Sequence, residues 1–188
     1  MNDLDHFAPL DPQGMHGHID GLPAQLEGAW DLGKGLPLSE GTQPRTVILA
    51  GMGGSAIGAD LAAAYLAPAC PVPLVVWRSY ELPASAGPEA LVILSSHSGN
   101  TEETLSAYDA ARRSGARMLA ITTGGELARR CDGDGVPAWR FEHRGQPRAA
   151  VGFSFALILA ALHRLGLVEA AGGEIRAAAE SMRAQQED

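Results

Sequence analysis

The sequence predicts an α/β fold, a three-layer αβα sandwich around a parallel sheet of about five strands, preceded by an N-terminal helical arm. Short, largely apolar runs alternate with helix-patterned segments from Thr46 onward, the pattern of parallel strands covered on both faces. Polar, glycine-bearing turns follow two of those runs and lead straight into helices. At 188 residues and 46% hydrophobic content, the chain is long enough for one domain with a buried core.

Residues 1–45 are rich in Gly, Pro and His, with helical signals around Met15–Ile19 and Ala24–Asp31, and read as an arm packed on a later core. Strand 46–50 (Thr46-Val47-Ile48-Leu49-Ala50) runs through a glycine turn into an alanine-rich helix, 55–67. Strands are expected at 72–77 and 90–95, then helix 101–114 and strand 117–122. A brief helix at Glu126–Arg130 and a short strand at Ala138–Phe141 complete the sheet. Helix 151–165, apolar on almost every side, must be deeply buried and stops at Gly166, which suits a C′ position. The last segment, 172–188, reads as a polar helix with no evident partner within the chain. The expected boundaries are therefore an arm over 1–45, a core domain over 46–170, and a C-terminal helix or linker start over 171–188.

Composition narrows the function. With 14 Lys+Arg against 22 Asp+Glu, a net charge of -8 gives no electrostatic footprint for nucleic acid or an anionic membrane. The uncharged stretch from Ala149 to Leu162 is shorter than the roughly 20 residues a bilayer span requires. The acidic start, Met1–Asp5, lacks a secretory n-region and h-region. Cys70 and Cys131 have no metal-ligand spacing, so both read as reduced, buried thiols of a cytoplasmic protein. His16 and His18 are two apart and would point to different faces of a helix, which argues against a metal site. Trp30, Trp77 and Trp139 read as packing residues, and His163 as a core or edge histidine.

Two loops carry chemistry. Gly51-Met52-Gly53-Gly54-Ser55-Ala56-Ile57-Gly58 joins a strand to a helix, a turn that lets backbone approach an anion and aims unpaired N–H groups at it. Ser95-Ser96-His97-Ser98-Gly99-Asn100-Thr101 repeats the arrangement with hydroxyls, where Ser96, Ser98 and Thr101 are donors for a phosphate without any lysine. A plain helix start accounts for the second loop equally well when it is taken alone, with Asn100 as N-cap and Glu103 three residues on. Together the loops favour one shared ligand at the ends of neighbouring strands. His97 reads as an exposed turn residue. A dinucleotide site is the rival: Gly51-x-Gly53-x-x-Ala56 fits a variant fingerprint, and Arg78 could face the 2′-phosphate of NADP. That rival does not need the serine loop. Neither a P-loop ending nor a Gly-x-Ser-x-Gly elbow is present.

These residues, with Asp11-Pro12-Gln13-Gly14-Met15, Leu22-Pro23-Ala24-Gln25-Leu26, Ala29-Trp30 and Pro147-Arg148-Ala149-Ala150, resemble in order the N-terminal half of the bifunctional phosphoglucose/phosphomannose isomerases of the sugar isomerase (SIS) superfamily. The resemblance implies a flavodoxin-like SIS domain and interconversion of glucose or mannose 6-phosphate with fructose 6-phosphate through an enediol, with no metal or nucleotide cofactor. It implies that Gly53, Gly54, Ser55, Ser96, Ser98 and Thr101 hold the sugar phosphate and that Arg148 is catalytic. An arginine there would stabilise enediolate charge, although a helix-flanking surface charge explains Arg148 equally in isolation. Similar enzymes place a glutamate base, a ring-opening histidine and a late lysine in a second SIS domain, which this sequence does not contain. Glu102 and Glu103 suit a helix start, and Glu142 and His143 are weak acid or base candidates. One-domain hexulose-phosphate isomerases carry a glutamate after the proline loop, where this chain has apolar Ala149–Phe155. The chain alone is therefore expected to bind without turnover, as a truncated or divided enzyme or a binding relic. A non-catalytic or regulatory SIS module is the alternative, although the arm has no basic recognition helix. Apolar surface left open along the last helices implies a homodimer or a second SIS domain as partner.

Overall fold

The computed structural model describes residues 8–39 and 41–186. A 3-10 turn, Ala8–Leu10, precedes α1 (Met15–Asp20) and α2 (Leu22–Gly35), followed by β1 (Thr46–Gly51), α3 (Gly53–Leu66), β2 (Leu74–Trp77) and β3 (Ala90–Ser96). Next come α4 (Glu102–Ser114), β4 (Arg117–Thr122), α5 (Gly125–Asp134) and β5 (Ala138–Arg140). A second 3-10 turn, Pro147–Ala149, leads into α6 (Val151–Arg164), and α7 (Gly172–Gln186) ends the described chain. The reading of Met1–Asp5 lies outside the described residues, as do the last two residues of the expected C-terminal helix.

The five strands are all parallel in the order β2-β1-β3-β4-β5. Strand order reverses between β1 and β3, so their carboxyl ends open a crevice where ligands of such folds bind. Side chains alternate between the faces with the strand period of two. Val47, Leu49, Leu91, Ile93, Leu119, Ile121 and Trp139 pack with α2, α3, α6 and α7. Ile48, Ala50, Val92, Leu94 and Ala120 pack with α4 and α5 through Tyr108, Leu127 and Cys131.

α6 is the central helix of the first face, with Leu157, Ile158, Ala161 and Leu162 fully buried. Full burial of one such leucine or isoleucine stabilises by about 1.5–3 kcal/mol, so α6 is a main anchor of the fold. It stops where Gly166 takes φ +69° and its N–H reaches the His163 carbonyl while the Leu167 N–H reaches Leu162, the double bond of a Schellman ending. The arm lies on α6 through Leu26, Ala29 and Trp30 of α2. His163 stacks on Trp30 and bonds the Val168 carbonyl, an edge histidine as expected.

Several expectations change. β2 starts at Leu74 rather than Val72, because Pro73 has no N–H to pair and only its carbonyl receives the Val47 N–H. α5 runs twice as far as expected, to Asp134, and Gly135 in the left-handed region closes it. α7 does have partners within the chain: Ile175 and Ala179 are buried against α2, Gly172 fits against the Trp30 indole, and Arg183 pairs with Glu27. Alanine-rich helices hide such contacts from sequence, because the buried face is made of small residues. Cys131 is fully buried, and Cys70 only half-buried. Among the described residues, no helix is long and apolar enough to cross a membrane.

Candidate phosphate site at the strand switch point

The two candidate anion loops meet at the reversal point. β1 and β3 pair as far as Gly51 opposite Ser95, and β3 and β4 as far as Ser96 opposite Thr122, so three loops leave the sheet side by side. The His97 N–H donates to Ser55 Oγ (3.3 Å), joining the first loop to the second. The His97 carbonyl accepts from the Thr123 N–H (3.1 Å) and hydroxyl (2.7 Å), joining the second to the third. Gly99, at φ +68°, presses so closely on the β4–α5 turn that a Cβ there would stand 1.9 Å from the Gly124 carbonyl oxygen.

Inside the second loop, Ser96 Oγ lies 3.0 Å from Thr101 Oγ1 and accepts the Gly99 N–H (3.1 Å). Ser96 is buried and shapes the loop from within, whereas Ser98 is exposed and accepts the Asn100 N–H (3.2 Å). Asn100 is not the cap of α4. Thr101 holds the N-cap position without a side-chain bond, and Asn100 Oδ1 instead accepts the Glu126 N–H (3.0 Å) at the start of α5. The first turns of α3 and α4 both lack a side-chain cap, so their leading N–H groups remain available to an anion. Glu102 and Glu103 occupy the first turn of α4, and the Tyr80 hydroxyl donates to Glu102 Oε2 (3.1 Å).

The third component is the turn carrying Arg148. A Cβ on Gly54 would lie 2.7 Å from the Pro147 carbonyl oxygen and 3.1 Å from Arg148 Cα, so only glycine lets this turn rest on the first loop. From the arm, Gln25 Nε2 donates to the Ala149 carbonyl (2.7 Å) and ties the turn from behind. Arg148 is exposed, and among the described residues its guanidinium makes no ion pair or hydrogen bond. Arg144 in the same segment is likewise exposed and in no ion pair among the described residues. The structure thus gathers Gly53, Gly54, Ser55, Ser96, Ser98, Thr101 and the Arg148 turn at one end of the sheet.

His97 departs from the expected exposed turn residue. It is half-buried, its Nε2 is 2.9 Å from His143 Nδ1, and burial pushes its pKa down. Glu142 is exposed. No sequence signal pairs two histidines 46 residues apart in separate loops. Arg78, the candidate for a 2′-phosphate, is ion-paired with Asp60 and donates to the Ala56 carbonyl (3.3 Å). Among the described residues, no group of three or more His, Cys, Asp and Glu is placed to hold a metal ion. A 660 Å³ cavity lies elsewhere, lined by Tyr65, Pro68, Leu167 and Glu169.

No protein-family model matches the chain. A bifunctional phosphoglucose/phosphomannose isomerase from Caldicellulosiruptor bescii is 41% identical over 162 residues, 86% of this chain and 48% of the relative. The chain belongs to this family. It spans about half the length of the curated relatives it matches. Tagatose-6-phosphate ketose/aldose isomerase from Escherichia coli shares the SIS fold at TM-score 0.66 and 19% identity, over 92% of this chain and 52% of that one. The Vibrio vulnificus NanR protein, solved with ManNAc-6P, shares it at TM-score 0.51 and 17% identity, over 77% of this chain and 55% of NanR.

Proposed function

We propose that the chain binds a hexose 6-phosphate as the N-terminal SIS half of a glucose-6-phosphate/mannose-6-phosphate to fructose-6-phosphate aldose-ketose isomerase. The observation that carries this is the junction of two uncapped helix starts at the strand reversal, with Arg148, unpaired among the described residues, on a turn seated against Gly54. In this reading the Gly53–Ser55 turn and Ser98, Thr101 and the leading N–H groups of α4 receive the phosphate, while Ser96 holds the loop's shape. Arg148 stabilises charge on the enediolate oxygens. The base that moves the proton between C1 and C2 comes from outside these residues, because Glu102 is engaged by Tyr80 and Glu142 is a solvent-facing loop residue. No metal or nucleotide enters the reaction. In this reading residues 1–45 serve as the arm, 46–170 as the SIS core, and 171–188 as the last helix or the start of a linker.

A second SIS half or a second copy covers the apolar groove lined by Leu61, Tyr65, Phe155 and Met182, beside exposed Ile57. Against the NADP reading, Arg78 is paired with Asp60 rather than left free to face a 2′-phosphate. Calorimetry with fructose 6-phosphate, alongside a coupled assay for fructose 6-phosphate formed from glucose 6-phosphate, tests the proposal. Saturable binding without turnover by the purified chain is expected. Turnover would place the base within this chain, and saturable quenching of NADPH fluorescence would overturn the phosphosugar assignment.

A further inference from the structure

Three imidazoles meet beside the arginine turn, and none has a part in the chemistry above. His97 Nε2 and His143 Nδ1 are 2.9 Å apart, with the rings nearly perpendicular and their centroids 5.1 Å apart. His18 of α1 lies against His143 at 5.0 Å. Phe141 meets His97 edge-on, and Phe153 of α6 meets His143 in the same way. Gly145 is packed onto the cluster: a Cβ there would stand 2.5 Å from His18 Nε2 and 3.1 Å from His143 Cε1. His143 Nε2 is buried with no hydrogen-bond partner among the described residues. Three site-forming segments, the arm, the phosphate loop and the Arg148 turn, are joined here.

Two ring nitrogens bond only when one carries a proton and the other a lone pair. A neutral or singly protonated pair keeps that bond, whereas a doubly protonated pair loses it and repels. Burial holds both imidazoles below the usual histidine range, and for His143 the charges of His97 and His18 push the same way. The facing groups do not offset this. On α1, His16 pairs with Asp20, and Asp11 is engaged by the Met15 and His16 N–H groups. The phosphate loop contributes only His97, and the first turn of α6 has no acidic residue. The turn itself carries Glu142, Arg144 and Arg148, all exposed.

We propose that His143 is a positioning residue: through its contact with His97 it clamps the Arg148 turn to the phosphate loop, and the clamp opens when both imidazoles are protonated. The consequence for ligand binding rests on the phosphosugar reading above, but the clamp itself does not. The test uses the full chain, isotope-labelled and free of ligand, followed by NMR from about pH 8 to about pH 4, a sweep that passes through the ordinary histidine range and below it, where burial has moved both rings. Amide signals of Gly145, Gln146, Arg148 and Ala149 should move with the second, lower midpoint of the His97 and His143 ring protons, at which the pair becomes doubly charged. In His143→Gln, whose amide bonds but does not ionise, those amides should lose that dependence, and His97→Gln should act alike. Glucose 6-sulfate, whose charge stays fixed over this range, should bind wild type about tenfold more weakly at the acid end, about 1.4 kcal/mol, and His143→Gln equally at both ends. Turn amides that ignore pH in wild type, or variants that keep the wild-type response, would overturn the clamp. A responsive turn with no binding of the sulfate at any pH would refute the phosphosugar reading and sustain the clamp.

Discussion

Replacing Gly54 by alanine tests whether the arginine turn leans on the first glycine loop. The added Cβ would fall 2.7 Å from the Pro147 carbonyl oxygen, 3.0 Å from its carbon and 3.1 Å from Arg148 Cα. All three are main-chain atoms, so no rotamer change relieves the contact and the turn or the helix must move. Overpacking of this kind costs about 1–3 kcal/mol, while alanine in a helix recovers about 1 kcal/mol of propensity. Gly28→Ala isolates the clash: Gly28 is helical, exposed and has nothing within 4 Å of its Cβ position. That control should stabilise by about 0.5–1 kcal/mol, and the two variants should differ by about 1–3 kcal/mol in urea unfolding. On the proposed function, displacing the turn also withdraws Arg148 from the phosphosugar. A hydrogen bond to a charged group is worth about 1.5–3 kcal/mol, so fructose 6-phosphate affinity should fall by roughly tenfold to a hundredfold in Gly54→Ala alone. If Gly54→Ala matches Gly28→Ala in both stability and affinity, the turn does not depend on the glycine and the site as described is wrong.

Asn100→Ala should lose about 0.5–2 kcal/mol in urea unfolding because the Glu126 N–H at the start of α5 loses its acceptor; an unchanged midpoint would return Asn100 to an ordinary loop role. Arg129 and then Arg130 hydrogen-bond the Glu126 carboxylate and hold its pKa down to about 2, from an ordinary 4.5. A carboxylate with a depressed folded-state pKa stabilises above its unfolded value and loses that contribution as pH falls toward 2. The gap in urea midpoint between wild type and Glu126→Gln should therefore be widest near neutrality and close between pH 4.5 and 2; a constant gap would contradict this. Leu61→Asp, on the exposed Ile57–Leu61–Tyr65 stripe of α3, should turn a light-scattering dimer into a monomer, and a wild-type chain that is already monomeric counts against self-association.

The sheet was legible because its signal is local. Each strand is a short apolar run closed by a turn, and the period of two that sorts Val47 from Ile48 onto opposite faces follows from the pleat. The partners of α7 were not legible, because Ala179 and Gly172 carry no pattern that distinguishes a packed face from a solvated one. At the candidate site, both strand-to-helix loops could be located from residue types, but the division of labour within the second could not. Ser96 and Ser98 are chemically alike, and only the closure of the loop turns one inward to Thr101 and leaves the other in solvent. The His97–His143 contact depends on two loops brought together by β-sheet register, information that no single segment carries.

On the proposed function, charge layout accounts for how an acidic chain would receive a phosphate. A net charge of -8 repels a dianion at long range, but that repulsion is screened beyond roughly 8–10 Å at physiological salt. Capture therefore depends on what lies within one such length of the phosphate. Ion pairs among the described residues engage most of the Lys and Arg side chains, as in Arg78–Asp60, Arg113–Glu81 and Arg130–Asp109. Exposed pairs of that kind contribute only about 0–1 kcal/mol each to stability, yet they remove those cations from competition for the ligand. Arg144 and Arg148 are in none of them and sit in the segment that closes on the switch point. Two uncapped helix starts add roughly half a positive charge each, against which Glu102 and Glu103 stand in the first turn of α4. On that reading the packing of the Arg148 turn, by Gly54 in front and Gln25 and the histidine cluster behind, matters alongside the donors themselves.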